Sequence, residues 1–405
     1  MRLVLALVVV TSACNSSVGG GGGSSGNPGD GTDGGMSCLD SCVQGTVECS
    51  GAGLATCALA ADGCLHWGAP VACSGTQTCA LGFCADHGTW ATQTSMLEPR
   101  VQFGLAATAT NVYVAGGTSS SAGALAAMDV YTIATGAWTQ GSPLPTASAS
   151  LVLLAGPDGK IYAIGGYVPA NTVATTVGNS PTTYSIDYTP SAVYTPAGAW
   201  ASMPEPSTRL LEAGATGPDG KLYVIGGLVG STLTATTSVE AYDTTAGSWT
   251  DVADIPTPRA RLAAVTGPDG KIYALGGSSI AGLAINPLGE PLTTVERYTP
   301  ATSSWESVAS MTTARMDFAA AVGVDGRIYA IGGDMAAATF TGVASVATVE
   351  AYTPSTNTWE PVTSLPATLV NFQATAAASP GLLAIGGQAD ELDGMELATV
   401  QAYTP

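Results

Sequence analysis

PDGKIYALGG, residues 268–277, decides how this chain folds. Asp269-Gly270 is a two-residue hairpin signal between apolar runs. Ile272 to Leu275 then reads as a buried strand, closed by Gly276-Gly277, where glycine permits positive φ and close backbone approach. The phrase recurs. PDGK also stands at 157–160 and 218–221, and VDGR at 324–327. Gly-Gly pairs fall at 116–117, 165–166, 226–227, 276–277, 332–333 and 386–387. Their spacings of 49, 61, 50, 56 and 54 residues match the period of a four-stranded propeller blade.

Aromatic residues keep the same beat. Three residues before each pair stand Tyr113, Tyr162, Tyr223, Tyr273 and Tyr329, with Leu383 in the sixth repeat. A second tyrosine follows at Tyr131, Tyr194, Tyr242, Tyr298, Tyr352 and Tyr403. Six or seven residues beyond the first five of these come Trp138, Trp200, Trp249, Trp305 and Trp359. Large rings at a fixed period fill the space between neighbouring blades, which one blade cannot bury alone. An acid precedes four of the tyrosines by two residues (Asp129, Glu240, Glu296, Glu350); Ala192 and Gln401 replace it in the second and sixth repeats. This motif set resembles the kelch repeat and covers about 318 residues. The resemblance implies an all-β, six-bladed kelch-type β-propeller over 88–405. The last repeat stops before its tryptophan, while Trp90 stands unpaired at the start. The strand around Trp90 is therefore expected to complete blade six and close the ring, removing open sheet edges.

What precedes the repeats is of three kinds. MRLVLALVVVTSAC (1–14) has a basic start, a short apolar run and small residues before Cys14, so 1–13 reads as an export signal. Cys14 in that setting resembles the lipidated cysteine of bacterial lipoproteins, and Asn15 beside it favours an outer-membrane or cell-surface destination. A plain secreted protein cleaved near Ala13 is the alternative. Residues 14–36, with five consecutive glycines, read as a flexible tether. Residues 37–87 hold Cys38, Cys42, Cys49, Cys57, Cys64, Cys73, Cys79 and Cys84. Eight cysteines in an exported chain read as a small disulfide-rich module. Zinc fits less well, because the spacings lack C-x2-C pairs and the whole chain has two histidines, His66 and His87.

The net charge of −19 argues against nucleic acid, and against a membrane except through the lipid. No histidine or cysteine follows His87, which removes imidazole and thiolate catalysis from the repeats. It also excludes the chemistry of the copper-radical oxidases, whose propeller this one resembles. No carboxylate pair stands out for glycoside hydrolysis. The candidate site lies on the innermost strands. Aligned on Phe103, Leu151, Leu210, Leu262, Phe318 and Phe372, the preceding residues are Gln102, Ser150, Arg209, Arg261, Asp317 and Asn371. Two further back stand Arg100, Ser148, Ser207, Arg259, Arg315 and Leu369. Five of eight arginines thus fall in two columns near one channel mouth. They read either as a ligand-gripping mouth or as structural partners of Glu240, Glu296 and Glu350. Asp390 to Glu396 offers carboxylates for calcium, though without EF-hand spacing, and no other cofactor is expected. The reading that follows is a non-catalytic, lipid-anchored binding propeller for a protein or glycan. The alternatives are a sugar-modifying enzyme, by resemblance to six-bladed sialic-acid mutarotases, and a structural surface component.

Overall fold

The computed structural model describes residues 47–50, 53–60, 65–72, 77–80, 83–86 and 88–405, apart from 170–172, 176–182, 197, 232, 280–288, 337–342, 378–380 and 391–394. From Thr89 onward the described chain forms six four-stranded antiparallel sheets. Blade one runs outward through Gly104–Ala107, Asn111–Ala115, Met128–Thr132 and Ala137–Gln140. Blades two to five repeat this order, their innermost strands packed side by side around a central channel. Blade six takes Gln373–Ala377, Gly381–Ile385 and Val400–Thr404 from the C-terminal end and Thr89–Thr92 from the beginning of the repeats. Trp90 stands opposite Tyr403 in that last pairing, so the expected N-terminal closing strand is present.

The repeated aromatics bind blade to blade. Each outer tryptophan stacks on its own blade's third-strand tyrosine, with ring centres 5.0 Å apart for Trp90–Tyr403 and 5.1 Å for Trp305–Tyr298. Its indole N–H donates to a carbonyl of the preceding blade: Trp305 to Ala253 at 2.8 Å, Trp359 to Ala309 at 2.8 Å, Trp90 to Thr363 at 2.9 Å. The second-strand tyrosines meet the third-strand tyrosines of the next blade, as in Tyr273–Tyr352 at 5.8 Å. In blade six Leu383 takes that place and packs against Tyr131 in the same buried cluster. The Gly-Gly pairs are required by space as well as by φ. Gly277 has φ +88°, and a Cβ there would stand 2.5 Å from the Ala260 carbonyl oxygen.

After each Gly-Gly pair the chain returns to the face on which the innermost strands begin. Isolated bridges such as Val101 to Thr118 and Ala260 to Ser278 fix this. In five blades a two-stranded hairpin follows, including Val173–Thr175 with Thr183–Ser185 in blade two. These hairpins surround the channel mouth; the Asp-Gly turns lie on the opposite face. Ahead of the propeller, Val47–Ser50, Gly53–Leu59, Leu65–Trp67 and Val71–Ala72 form a small sheet, and Gln77–Ala80 pairs with Phe83–Asp86. Cys57 is buried there and disulfide-bonded. The side chains of the other seven module cysteines, Cys14, and Glu391 to Gly394 of the acidic loop lie outside the described residues. Among the described residues no helix is long and apolar enough to cross a membrane.

Candidate functional site

The two arginine columns have different surroundings, and one alignment needs correction. In blade three the residue that bridges Leu228 is Leu210, whereas in blade four Ala260 bridges Ser278. Since Leu228 and Ser278 each follow a Gly-Gly pair, Glu212, not Leu210, is the equivalent of Leu262 and Phe318. Blade three therefore shifts by two residues. Arg209 joins Arg100, Arg259 and Arg315, and Leu211 takes the place given to Arg209.

These four arginines are at most 2 % exposed. The sequence reading of Arg100, Arg209, Arg259 and Arg315 as channel-mouth ligands does not match this placement, because burial between strands removes them from solvent. Arg259 shows the common arrangement. Its Nη1 donates to the Gly276 and Thr294 carbonyls, both at 3.0 Å, and its Nη2 to Glu296 at 2.8 Å. Arg315 does the same with Gly332, Thr348 and Glu350, and Arg100 with Gly116, Ala127 and Asp129. Arg209 pairs with Glu240. Each guanidinium thus ties the end of the second strand to the start of the third. Burial pulls the Arg259 and Arg315 pKa values down, and their carboxylate partners oppose it. Burial presses Glu350 upward, but hydrogen bonds from Thr312 and Arg315 hold it below its ordinary value. Blades two and six lack arginine and acid together. In blade two Ser148 and Thr189 hydroxyls, 2.7 Å apart, take over, with Thr189 donating to the Gly165 carbonyl at 2.9 Å.

The mouth is made by the other column: Gln102, Ser150, Leu211, Arg261, Asp317 and Asn371. All six are non-glycine residues in left-handed backbone, with φ between 51° and 56°. That conformation costs an L-residue about 1–2 kcal/mol. A circle of backbone hydrogen bonds holds them: Ser150 N–H to Gln102 O, Arg261 N–H to Leu211 O, Asp317 N–H to Arg261 O, Asn371 N–H to Asp317 O and Gln102 N–H to Asn371 O. Five junctions are bonded. Between Ser150 and Leu211 no such bond forms among the described residues. Arg261 donates to Asp317 at 2.8 Å, joining blades four and five across the mouth. Tyr167 and Tyr188, from the blade-two hairpin, pack with Leu211 and Leu210 on the adjoining rim.

Just inside the gap stands Glu212. Phe103, Leu151, Leu262, Phe318 and Phe372 are apolar at the equivalent positions; Glu212 is 9 % exposed and its Oε2 has no hydrogen-bond partner. Burial raises its pKa to about 8, against the pull of its own backbone N–H and of Arg209. The mouth compartment, about 90 Å³, is lined by the six-residue circle, Glu212 and the apolar residues behind. Beyond it the channel proper, about 450 Å³, is lined by small and apolar residues, with Glu212 again at its edge. No cluster of metal-binding side chains forms among the described residues.

Of the residues named from sequence, Gln102, Arg261, Asp317 and Asn371 come together at the mouth, and the four strut arginines do not. Ser150 was in the aligned column and takes its place in the circle. Leu211 and Glu212 are not legible from the sequence, because Leu210 offers an apolar residue two positions early and conceals an acid in an apolar column.

The repeat identity is independent of this geometry. The kelch motif model matches residues 209–256, 259–312 and 316–366, which are blades three, four and five. Blades three, four and five of this six-bladed propeller are thus kelch motifs. The propeller is also similar to human kelch repeat and BTB domain-containing protein 13, with 33% identity over 125 residues. That match spans 31% of this chain and 24% of the human protein, so the chain covers about a quarter of that relative. Among solved structures, that of YjhT superposes with a TM-score of 0.59 at 14% identity, over 76% of this chain and 95% of the other. At that identity the likeness shows the fold alone.

Proposed function

We propose that the protein is a binding propeller whose channel mouth recognises a protein or glycan partner. The observation that carries this reading is the circle itself. Six side chains are presented at positions where glycine would adopt the backbone at no steric cost, and observed strain of this kind points to a functional site. The display fits: an export signal, a lipid on Cys14, a glycine-rich spacer and a four-disulfide module would hold the propeller away from an outer membrane with its mouth free. Arg261, Asp317, Gln102 and Asn371 supply a guanidinium, a carboxylate and two amides for hydrogen bonding.

A glycan and surface-protein array probed with the full chain tests it. Arg261→Ala with Asn371→Ala is expected to lower the bound signal at least tenfold, while Lys221→Ala on the opposite face leaves it unchanged. Equal signals from the two variants would refute a mouth-based function. One observation favours a second reading, proton transfer on a sugar. Glu212, with a pKa near neutrality, suits a general acid–base group. Sugar anomer exchange no faster with the protein than without it would exclude that reading.

A further inference from the structure

Resting on the mouth reading, we propose that the gap between blades two and three is a subsite for one uncharged, polyhydroxylated ring, a neutral sugar unit, held by Glu212, Ser150 and the peptide groups of Ser150 and Leu211. The first observation is the interrupted circle. Every other junction spends a mouth N–H on the carbonyl of its neighbour; here the Leu211 N–H and the Ser150 carbonyl make no backbone bond among the described residues. The second is independent of it. The Ser150 hydroxyl and the Glu212 Oε2 are both buried without a hydrogen-bond partner; both residues line the mouth compartment, and the Glu212 carboxyl lies beside Gly165 between blades two and three. Buried polar groups are nearly always satisfied, so two buried unspent side-chain groups beside two unspent backbone groups at one junction mark a place where a ligand completes the bonding.

Their chemistry narrows the ligand. The peptide N–H and the seryl hydroxyl donate; the carbonyl and the Glu212 carboxyl accept, and a protonated carboxyl also donates. Sugar hydroxyls both donate and accept, and so match such a mixed set. Charge decides between sugars. The groups facing Glu212 are Arg209 of its own blade, spent on Glu240, and Tyr188 from the blade-two hairpin; Arg261, at the rim, is bound to Asp317. Among the described residues no cation without a carboxylate partner therefore faces this junction to await a carboxylate or phosphate, and the chain carries −19 overall. An ammonium ligand would require Glu212 to ionise in a buried site, which desolvation opposes. The mouth compartment of about 90 Å³ is smaller than a whole hexose and takes one edge of such a ring, with Tyr167 and Tyr188 on the rim beside it.

Ligand-observed NMR with the full chain tests the subsite, using methyl glycosides of glucose, galactose and mannose, with N-acetylneuraminate and n-butylammonium as charged probes. At least one methyl glycoside is expected to bind at pH 7. Glu212→Leu should weaken it at least tenfold, and Glu212→Gln, which keeps a neutral hydrogen-bonding group, by less than about threefold. Between pH 7 and 9 the wild type should lose roughly tenfold in affinity as Glu212 ionises, and Glu212→Gln should lose none. Binding of no methyl glycoside, tighter binding of either charged probe, or equal binding by Glu212→Leu overturns the proposal. The broader reading is separable. If Glu212→Leu keeps an array signal that Arg261→Ala with Asn371→Ala loses, the subsite fails and the mouth stands; if both variants keep it, both fail.

Discussion

A guanidinium withdrawn from water is costly unless its partners are placed well, and Arg100, Arg209, Arg259 and Arg315 each meet a buried carboxylate and at least two backbone carbonyls. Removing one partner strands the other. Arg259→Leu is expected to lower unfolding free energy by about 3–5 kcal/mol in urea titrations, while Arg259→Leu with Glu296→Leu recovers most of the loss. Equal losses in the single and double variants would show that the pairing is not what matters. Glu212 behaves in the opposite sense. Its folded pKa of about 8 lies above its ordinary 4.5, so its neutral form's stability is complete below pH 4.5 and is lost as pH rises through 8. Glu212→Gln has no such loss. Melting curves should show the variant gaining on the wild type across that window, by several kcal/mol at its upper end, and matching it near pH 4.

At the scale of the element, the innermost strand and its Gly-Gly turn carry both the fold and the mouth. Gly277→Ala brings a methyl group against the Ala260 carbonyl in positive-φ backbone, and about 3 kcal/mol of destabilisation is expected by thermal melting. The closing strand Thr89–Thr92 is held through Trp90, which stacks on Tyr403 and donates to Thr363. Trp90→Ala should cost about 3–5 kcal/mol and expose the edge of Val400–Thr404, seen as faster amide exchange there. Exchange unchanged in blade six would mean the ring closes by other means. These elements were legible in the sequence because their signals are local: Asp-Gly, Gly-Gly, and aromatics at fixed offsets. The site was half legible. Gln102, Arg261, Asp317 and Asn371 follow from the same alignment, but whether an arginine faces solvent or a buried acid depends on a two-residue register that Leu210 and Leu211 leave ambiguous. The joint loss of arginine and acid in blades two and six was the signal that paired the columns, and the blade-three slip concealed it.

At the scale of the whole molecule, the six repeats bury four of the eight arginines as internal struts. The mouth keeps a paired Arg261–Asp317, two amides and one unbonded junction. Symmetry explains why a single departure carries so much: five apolar residues line the throat, and the sixth position is a carboxyl. That carboxyl is the centre of the account. Carbon-13 NMR titration of the Glu212 side chain in the full chain measures it directly. A midpoint near pH 8, moved further upward by a bound methyl glycoside, is the result predicted here. A midpoint near 4.5, unmoved by any of the three glycosides, would contradict it.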